Sequence, residues 1–465
     1  MKVLFVRPKP STETIGLQHI MIVEPLELEI LATLIQKDSD VKIIDMILEK
    51  RDLHDFLKEY QPDIFCVTGY ITHIGIMRDY CHEAKLFNST IKTIVGGIHV
   101  EKFPEDLDTD FIDFRVIRNA TSVFPDLIEH IKGSAELPPG ILKKRETYTE
   151  SSLPDYIFKA VIPDRKLTQR YRKKYFYIFH KKIALLKTSY GCPYMCKFCY
   201  CRKITGDQYK ELPLQHVFKE LKTITEKEIY IIDDNFLCSR ERVQNFISLI
   251  KKHKIKKKYL VFGRADFIAD NADVISSFKK VGLKSILVGL ESFNNNELTN
   301  YFKNSNSLTN QRAVEVLNKN KIDCYAAIIT SPAWTKNDFK QAYSIMNRIG
   351  LKFINLQPLT PLKGTDLPTE DSSLLIPREN FASWDLAHVM LQPENMTVDE
   401  YYKNLLKLYN KVIFKPKHLI GYIKYSPVMQ FRILAGLYKI HKQYKTIIIK
   451  NNNYAQDIIY STKPV

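Results

Sequence analysis

Gly191-Cys192-Pro193-Tyr194-Met195-Cys196-Lys197-Phe198-Cys199-Tyr200 decides how the rest of the chain is read. Its three cysteines stand at C-x3-C-x2-C spacing, just after the apolar run Ile183-Ala184-Leu185-Leu186 and the segment Lys187-Thr188-Ser189-Tyr190. A strand that runs into a glycine turn and then presents three thiolates suits an iron–sulfur cluster, because thiolates are the soft ligands such clusters select. Three protein ligands on a four-iron cluster leave one iron open to another group. A closed structural zinc site wants four ligands, usually in two separated pairs. Cys201 is a nearby candidate for a fourth ligand, and its side chain would have to fold back.

The segment resembles the cluster motif of the radical SAM enzymes, including the aromatic Phe198 before the last cysteine. The resemblance implies Cys192, Cys196 and Cys199 as ligands of a 4Fe-4S cluster. In that family the open iron chelates the amino and carboxylate groups of S-adenosylmethionine. One electron, from an external donor of flavodoxin or ferredoxin type, then cleaves it to a 5′-deoxyadenosyl radical. Phe198 falls among the positions expected beside the bound S-adenosylmethionine.

The 465 residues suffice for two or three domains with real cores. Apolar residues make up 45% of the chain, and no apolar run approaches the roughly 20 residues of a membrane span. The opening MKVLFVRP (1–8) is too short for a secretory signal and is expected to be a strand, which makes the cytoplasm the expected compartment. Eight cysteines, three of them in one motif, do not form a secreted disulfide framework, and a reducing compartment suits an oxygen-sensitive cluster. Cys66, Cys81, Cys238 and Cys324 sit in apolar or helical contexts and are expected as small buried hydrophobes.

The formal charge of +17 is expected to mean a solvated basic face, ahead of contact with lipid or an anionic substrate. Its densest stretch, KKHKIKKK (251–258), ends a helical segment, where cations complement the helix dipole. Nucleic acid is not an expected partner, because the basic residues lack the interleaved aromatics of a single-strand groove.

Residues 1–133 alternate strand and helix. Strands are expected at Lys2–Val6, Val41–Asp45, Asp63–Thr68, Ile91–Gly97 and Phe111–Ile117, with helices at Pro25–Lys37, Leu53–Tyr60, Arg78–Phe87 and Phe124–Ile131. Such alternation argues for a doubly wound parallel sheet, which binds ligands outside the carboxyl ends of its strands. Thr68-Gly69-Tyr70 and Gly96-Gly97-Ile98-His99 lie at two such ends. Glycines there allow close approach of a large cofactor; a plain tight turn explains them equally well. The ordered set PLELEILATLI, DVKIID, QPDIFCVTGY, KTIVGGIHVEKFPEDL resembles the Rossmann-like cobalamin-binding domain that precedes the barrel in one large radical SAM subgroup. The resemblance implies cobalamin held mainly by backbone, with Thr68, Gly69, Tyr70, Gly96, Gly97 and His99 as contacts. Two departures stand out. Ile71-Thr72-His73-Ile74-Gly75 lacks the Asp-x-His-x-x-Gly of modules that ligate cobalt from below, so His73 is expected to be solvated or packed. Arg118-Asn119-Ala120-Thr121 stands where the family often shows Gly-Glu-x-Glu.

Residues 134–180 are expected to form an irregular linker, with prolines at 138, 139, 154 and 163 and a basic-aromatic run, RKLTQRYRKKYFYIFH (165–180), suited to packing between domains. From 181 to about 370, strands near 183–186, 228–233, 260–265, 285–291, 323–330 and 353–358 alternate with helices, a pattern for a partial (β/α)6 barrel with its site at the strands' carboxyl ends. Residues there divide between two readings. Asp234, beside Asp233, either grips an ammonium or caps a turn; Arg264 either meets a carboxylate or pairs with Asp266; Glu291, in GLES, resembles a family position that hydrogen-bonds ribose hydroxyls, which a carboxylate accepts from well, and a buried unpaired carboxylate would be costly. The resemblance implies all three at S-adenosylmethionine. Gln357-Pro358…Pro361…Gly364-Thr365 resembles the family's finish to the barrel.

Residues 371–465 are expected to be mainly helical, over Trp384–Met390, Val398–Val412 and Val428–Lys442, with lysines and tyrosines alternating around Lys415–Tyr425. A packed extension is the plainer expectation; a cap over substrate or a peripheral contact with lipid headgroups is the other. The expected activity is cobalamin-dependent radical methylation of an unactivated carbon in a small-molecule or natural-product substrate, with methylcobalamin as donor, by a monomer. The alternative is oxidative cyclisation or rearrangement without methyl transfer, on a lipid or tetrapyrrole-like substrate. The resemblance names no acid, base or nucleophile of the chain as catalytic.

Overall fold

A computed structural model describes residues 1–415 and 426–461; for residue 17 and residues 449–461 the description is of the backbone alone. Beyond Lys415, the Lys415–Tyr425 stretch lies outside the described residues.

The first sheet runs in the order Asp40–Asp45, Lys2–Arg7, Ile64–Thr68, Lys92–Gly96, Phe114–Val116, Ile141–Lys143. The first five strands are parallel, and Ile141–Lys143 adds antiparallel to Phe114–Val116. The sheet therefore takes its sixth strand from beyond residue 133, inside the expected linker. Helices cover both faces. Val3, Phe5, Ile64 and Ile94 pack on one side with Leu28 and Phe124, and Leu4, Val6, Phe65 and Val95 on the other with Phe56 and Met77. Burial of both faces is why these strands read as unbroken apolar runs. The strand order reverses between Lys2–Arg7 and Ile64–Thr68, which sets the crevice at Thr68.

The second sheet runs Ile183–Leu186, Glu228–Ile231, Lys258–Arg264, Leu283–Glu291, Asp323–Thr330, Phe353–Pro358, every neighbour parallel and consecutive in sequence. That is the expected six-stranded partial barrel. Its last strand is not left open. The helix Val398–Ile413, started by a reciprocal Thr397–Glu400 cap, packs against it, and Tyr409 Oη accepts a hydrogen bond from Leu356 N at 2.7 Å. A second long helix, Pro427–Ser461, lies against the first. Residues 384–390, expected as helix, are not helical: Leu386 has φ +63°, and the Asp385 side chain accepts from the N–H groups of Ala387 and His388, each at 2.9 Å. That local turn satisfies the backbone and removes the reason to wind a helix.

The linker joins the halves with buried ionisable groups. Glu24 and Glu29 of the first domain, Arg165 and Arg172 of the linker, and Glu220 of the barrel are all below 10% exposed. Arg172 contacts Glu24 and, through Nε, Glu226 at 2.6 Å; Arg165 Nη2 donates to Glu220 at 2.8 Å and to Leu185 O at 2.7 Å. Burial pushes the Glu29 carboxyl up to about 8, and the neighbouring Glu24 pushes the same way.

Candidate active site

Ser189–Tyr190 pairs antiparallel with Lys210–Glu211, so the cysteine segment is a closed loop pinned at both ends. Gly191 opens it at φ +74°; a Cβ there would lie 2.0 Å from Gln208 O. The two acids that follow the second barrel strand divide the work of holding this loop. Asp233, fully buried, accepts from Thr188 N at 2.6 Å and Ser189 Oγ at 2.8 Å. Asp234 Oδ2 accepts from Gly191 N at 3.0 Å, one residue before the first cysteine.

Cys192, Cys196, Cys199 and Cys201 all line one large cavity, with Phe198 among them. Burial pushes the Cys192 thiol up to about 12, whereas a hydrogen bond from Cys201 pulls Cys199 down to about 7. Among the described residues no three Cys, His, Asp or Glu side chains converge tightly enough to bind a single metal ion. Soft donors spread around a loop suit a multi-iron cluster, not a closed zinc site.

The other expected positions meet the same cavity. The Leu283–Glu291 strand slips register between Gly289 and Glu291, and Glu291 adopts φ +61°, a bulge that turns its carboxylate toward the cavity. Buried Asn310 fixes the bulge by donating to Leu290 O and Ser292 O, both at 2.8 Å. Glu291 Oε1 pairs with Lys303 Nζ at 2.7 Å, the two residues 6% and 5% exposed. Lys303 carried no signal in sequence: it is one loop lysine in YFKNSNS, and only the fold brings it to the strand end. Arg264 pairs with Asp266, Nη2 to Oδ2 at 2.8 Å, which is the structural reading of the two. It also lies 3.8 Å from the Tyr194 ring centroid and 3.5 Å from Cys196 Sγ. Asn235 carries no distinct signal in the sequence. It is 2% exposed, lines the cavity, and both polar atoms of its side-chain amide lack a partner, as expected of a group that meets a polar ligand.

Opposite the cysteine loop, Thr68–Tyr70 and Gly96–Ile98 form a cradle of backbone. Thr68 Oγ1 donates to Gly96 O at 3.1 Å, and Gly97, at φ +108°, sits so close that a Cβ would fall 2.6 Å from Thr68 Oγ1 and 3.0 Å from Gly69 O. His99 departs from expectation. Its side chain does not line the cavity; Nε2 lies 2.8 Å from Asp106 Oδ2, and the ring packs on Phe103 and Phe381. His73 also lies off the cavity; burial and then Arg7 push it down to about 4, so its ring is neutral. Asn119–Thr121 do reach the wall, with Asn119 accepting from Ile157 N at 2.7 Å. Glu101 lines the cradle too, its carboxyl pushed up to about 7 by burial.

The cavity measures about 1470 Å³ and spans from the cradle through the barrel mouth to the C-terminal helices. A backbone cradle in which Gly69 and Gly97 leave no room for a Cβ fits a flat macrocycle such as a corrin. Three thiols with an adjacent unpartnered amide fit a 4Fe-4S cluster and its chelated ligand. Both face the same space.

Comparison with known proteins agrees with that geometry. Residues 19–128 match the family model of the B12 binding domain, and residues 186–345 that of the Radical SAM superfamily. The chain is 26% identical to the hopanoid C-3 methylase of Methylococcus capsulatus, over 90% of this chain and 81% of the relative. Two solved structures share the fold. The radical S-adenosylmethionine methyltransferase TsrM from Kitasatospora setae has a TM-score of 0.57 at 17% identity, covering 76% of this chain and 72% of that one. The cobalamin-dependent S-adenosylmethionine radical enzyme OxsB has a TM-score of 0.57 at 16% identity, covering 88% and 61%. With the cysteine loop and the glycine cradle facing one another, and each half matched by its own family model, the chain belongs to the cobalamin-binding branch of the radical SAM enzymes.

Proposed function

We propose that the protein methylates an unactivated carbon of an apolar small molecule. The observation that carries this reading is the single cavity shared by cradle and cysteine loop, whose remaining wall is mostly apolar, with Ile30, Tyr177, Phe262, Leu287, Phe353 and Leu437 in it. A relative named for methylating a hopanoid supports both the reaction and the greasy substrate. The bound cofactors supply the chemistry: the cluster with S-adenosylmethionine a hydrogen-abstracting radical, and cobalamin the methyl group. The chain's part is holding and excluding. Cys192, Cys196 and Cys199 hold the cluster, and Asp234 fixes the entry to their loop. Asn235, Arg264 and Glu291 surround the space beside the cluster, where S-adenosylmethionine would bind. Thr68–Tyr70 and Gly96–Ile98 receive the corrin through backbone, and the apolar wall orients the target carbon and keeps water out. No side chain is required to take a proton. An external flavodoxin- or ferredoxin-type donor supplies the electron, and a reducing cytoplasm suits eight free cysteines.

The test is anaerobic reconstitution with iron, sulfide and hydroxocobalamin, followed by mass spectrometry after adding reductant, S-adenosylmethionine and an apolar candidate such as a hopanoid. Deoxyadenosine and S-adenosylhomocysteine together with a product heavier by one methylene is the expected result. Deoxyadenosine with bound cobalamin but a product that has lost hydrogen without gaining carbon would refute methyl transfer in favour of cyclisation.

A further inference from the structure

The C-terminal helices line one end of the cavity, and the sequence that carries them is unusual. From Tyr401 to Gln456 the chain has no Asp or Glu, yet carries ten lysines and Arg432, so much of the +17 charge is concentrated there. On the helix Pro427–Ser461, Val428, Phe431, Leu434 and Tyr438 are 70%, 76%, 49% and 69% exposed. Their spacing of three, three and four residues puts all four on one face. Isolated exposed apolar residues are ordinary; a contiguous row of four is not.

Two further observations say what covers this row. Leu434 and Tyr438 are at once solvent-exposed and part of the cavity wall, so the row forms a lip of the cavity mouth. Beside it, the two helices enclose a cleft of about 500 Å³ lined by Lys403, Lys407, Lys411 and Lys445. Leu406 and Asn410 belong to the walls of both cleft and cavity, so they are adjoining spaces. Lys445 stands two turns beyond Tyr438 on the same helix face.

We propose that this mouth docks on an anionic lipid bilayer. The Val428–Tyr438 row enters the headgroup layer and the lysine cleft binds lipid phosphates, so the apolar cavity opens directly onto the bilayer. An apolar row supplies burial, and adjoining lysines supply attraction to an anionic leaflet; peripheral binding draws on both. No described helix is long and apolar enough to cross a membrane, so the contact is made on the surface. The docking does not depend on which reaction the cavity hosts.

Flotation of the reconstituted full chain tests it, with vesicles of phosphatidylcholine alone and of phosphatidylcholine mixed with phosphatidylglycerol. The expected result is flotation with the anionic vesicles, weakened by salt, and little with the neutral ones. Val428→Ser with Phe431→Ser, neither in the cavity wall, should weaken binding about tenfold or more. Lys407→Gln with Lys411→Gln and Lys445→Gln should do so about a hundredfold. Unchanged circular dichroism and cluster absorbance show that each variant folds; a variant that fails this control is replaced by Phe431→Gln alone. Failure to float with anionic vesicles, or flotation that neither variant weakens, overturns the proposal. Light scattering that finds a dimer dispersed by Val428→Ser with Phe431→Ser also overturns it, assigning the face to a second copy of the chain.

Discussion

Replacing Lys303 by Met is the sharpest probe of the barrel mouth. The change keeps the length and apolar stem of the side chain and removes the charge that faces Glu291 at 2.7 Å, both residues being nearly inaccessible to water. Breaking one side of a buried ion pair leaves an uncompensated charge and costs about 3–5 kcal/mol. Over a barrel of this size that lowers the melting temperature by about 10 °C. A Glu291→Leu, Lys303→Met double variant removes both charges and should recover much of the loss, so the singles and the double should couple by about 2 kcal/mol or more. Calorimetry on the anaerobic reconstituted enzyme reads the stability, and equilibrium dialysis reads S-adenosylmethionine affinity. The affinity should fall about tenfold or more in Lys303→Met, because the carboxylate at the strand bulge loses the partner that orients it. A Lys303→Met variant that melts within about 2 °C of wild type and binds S-adenosylmethionine unchanged would refute the reasoning, since that reasoning needs a charged, buried pair.

Gly191→Ala should fail to retain iron: its φ of +74° and the 2.0 Å approach to Gln208 O force the loop entry to move, and iron and sulfide analysis after reconstitution should show less than half the wild-type content, roughly. Gly97→Val should abolish cobalamin retention, because its side chain would meet Thr68 Oγ1 and Gly69 O, whereas His99→Ala should leave cobalamin bound and cost stability through the lost Asp106 contact. Glu29 predicts a pH slope. Its carboxyl titrates near 8 in the fold against about 4.5 in the unfolded chain, so between those values the native state holds a proton that the unfolded state has released. Stability should therefore fall as pH rises through that window, and Glu29→Gln should flatten the fall in urea titrations at pH 5 to 8.

Much of this was legible because it is local. The cysteine spacing, the glycines after Thr68 and after Val95, and the alternation of apolar strands with amphipathic helices each depend on neighbours within a few residues. What was not legible depends on contacts the chain makes across itself. Lys303 finds Glu291 only because a bulge and Asn310 bend the strand end toward a loop. Which part of the loop each acid holds shows only in the fold, where Asp233 faces Thr188 and Asp234 faces Gly191. His99 belonged to a recognisable phrase, yet Asp106, seven residues later, captures its ring. The helix expected at 384–390 had the right apolar spacing, and the Asp385 side chain outcompeted it for the backbone. The acid-free tail is plain in the letters, but its meaning rests on two helices meeting around four lysines.

The buried clasp of Glu24, Arg165 and Arg172 bears on how the two halves meet. Arg165 and Arg172, paired with Glu24 of the first domain, bond to Glu220, Glu226 and the Leu185 backbone of the barrel, so parting the halves would expose several unpaired charges at once. The same contacts that join the halves therefore set the spacing at which the glycine cradle and the cysteine loop face one cavity.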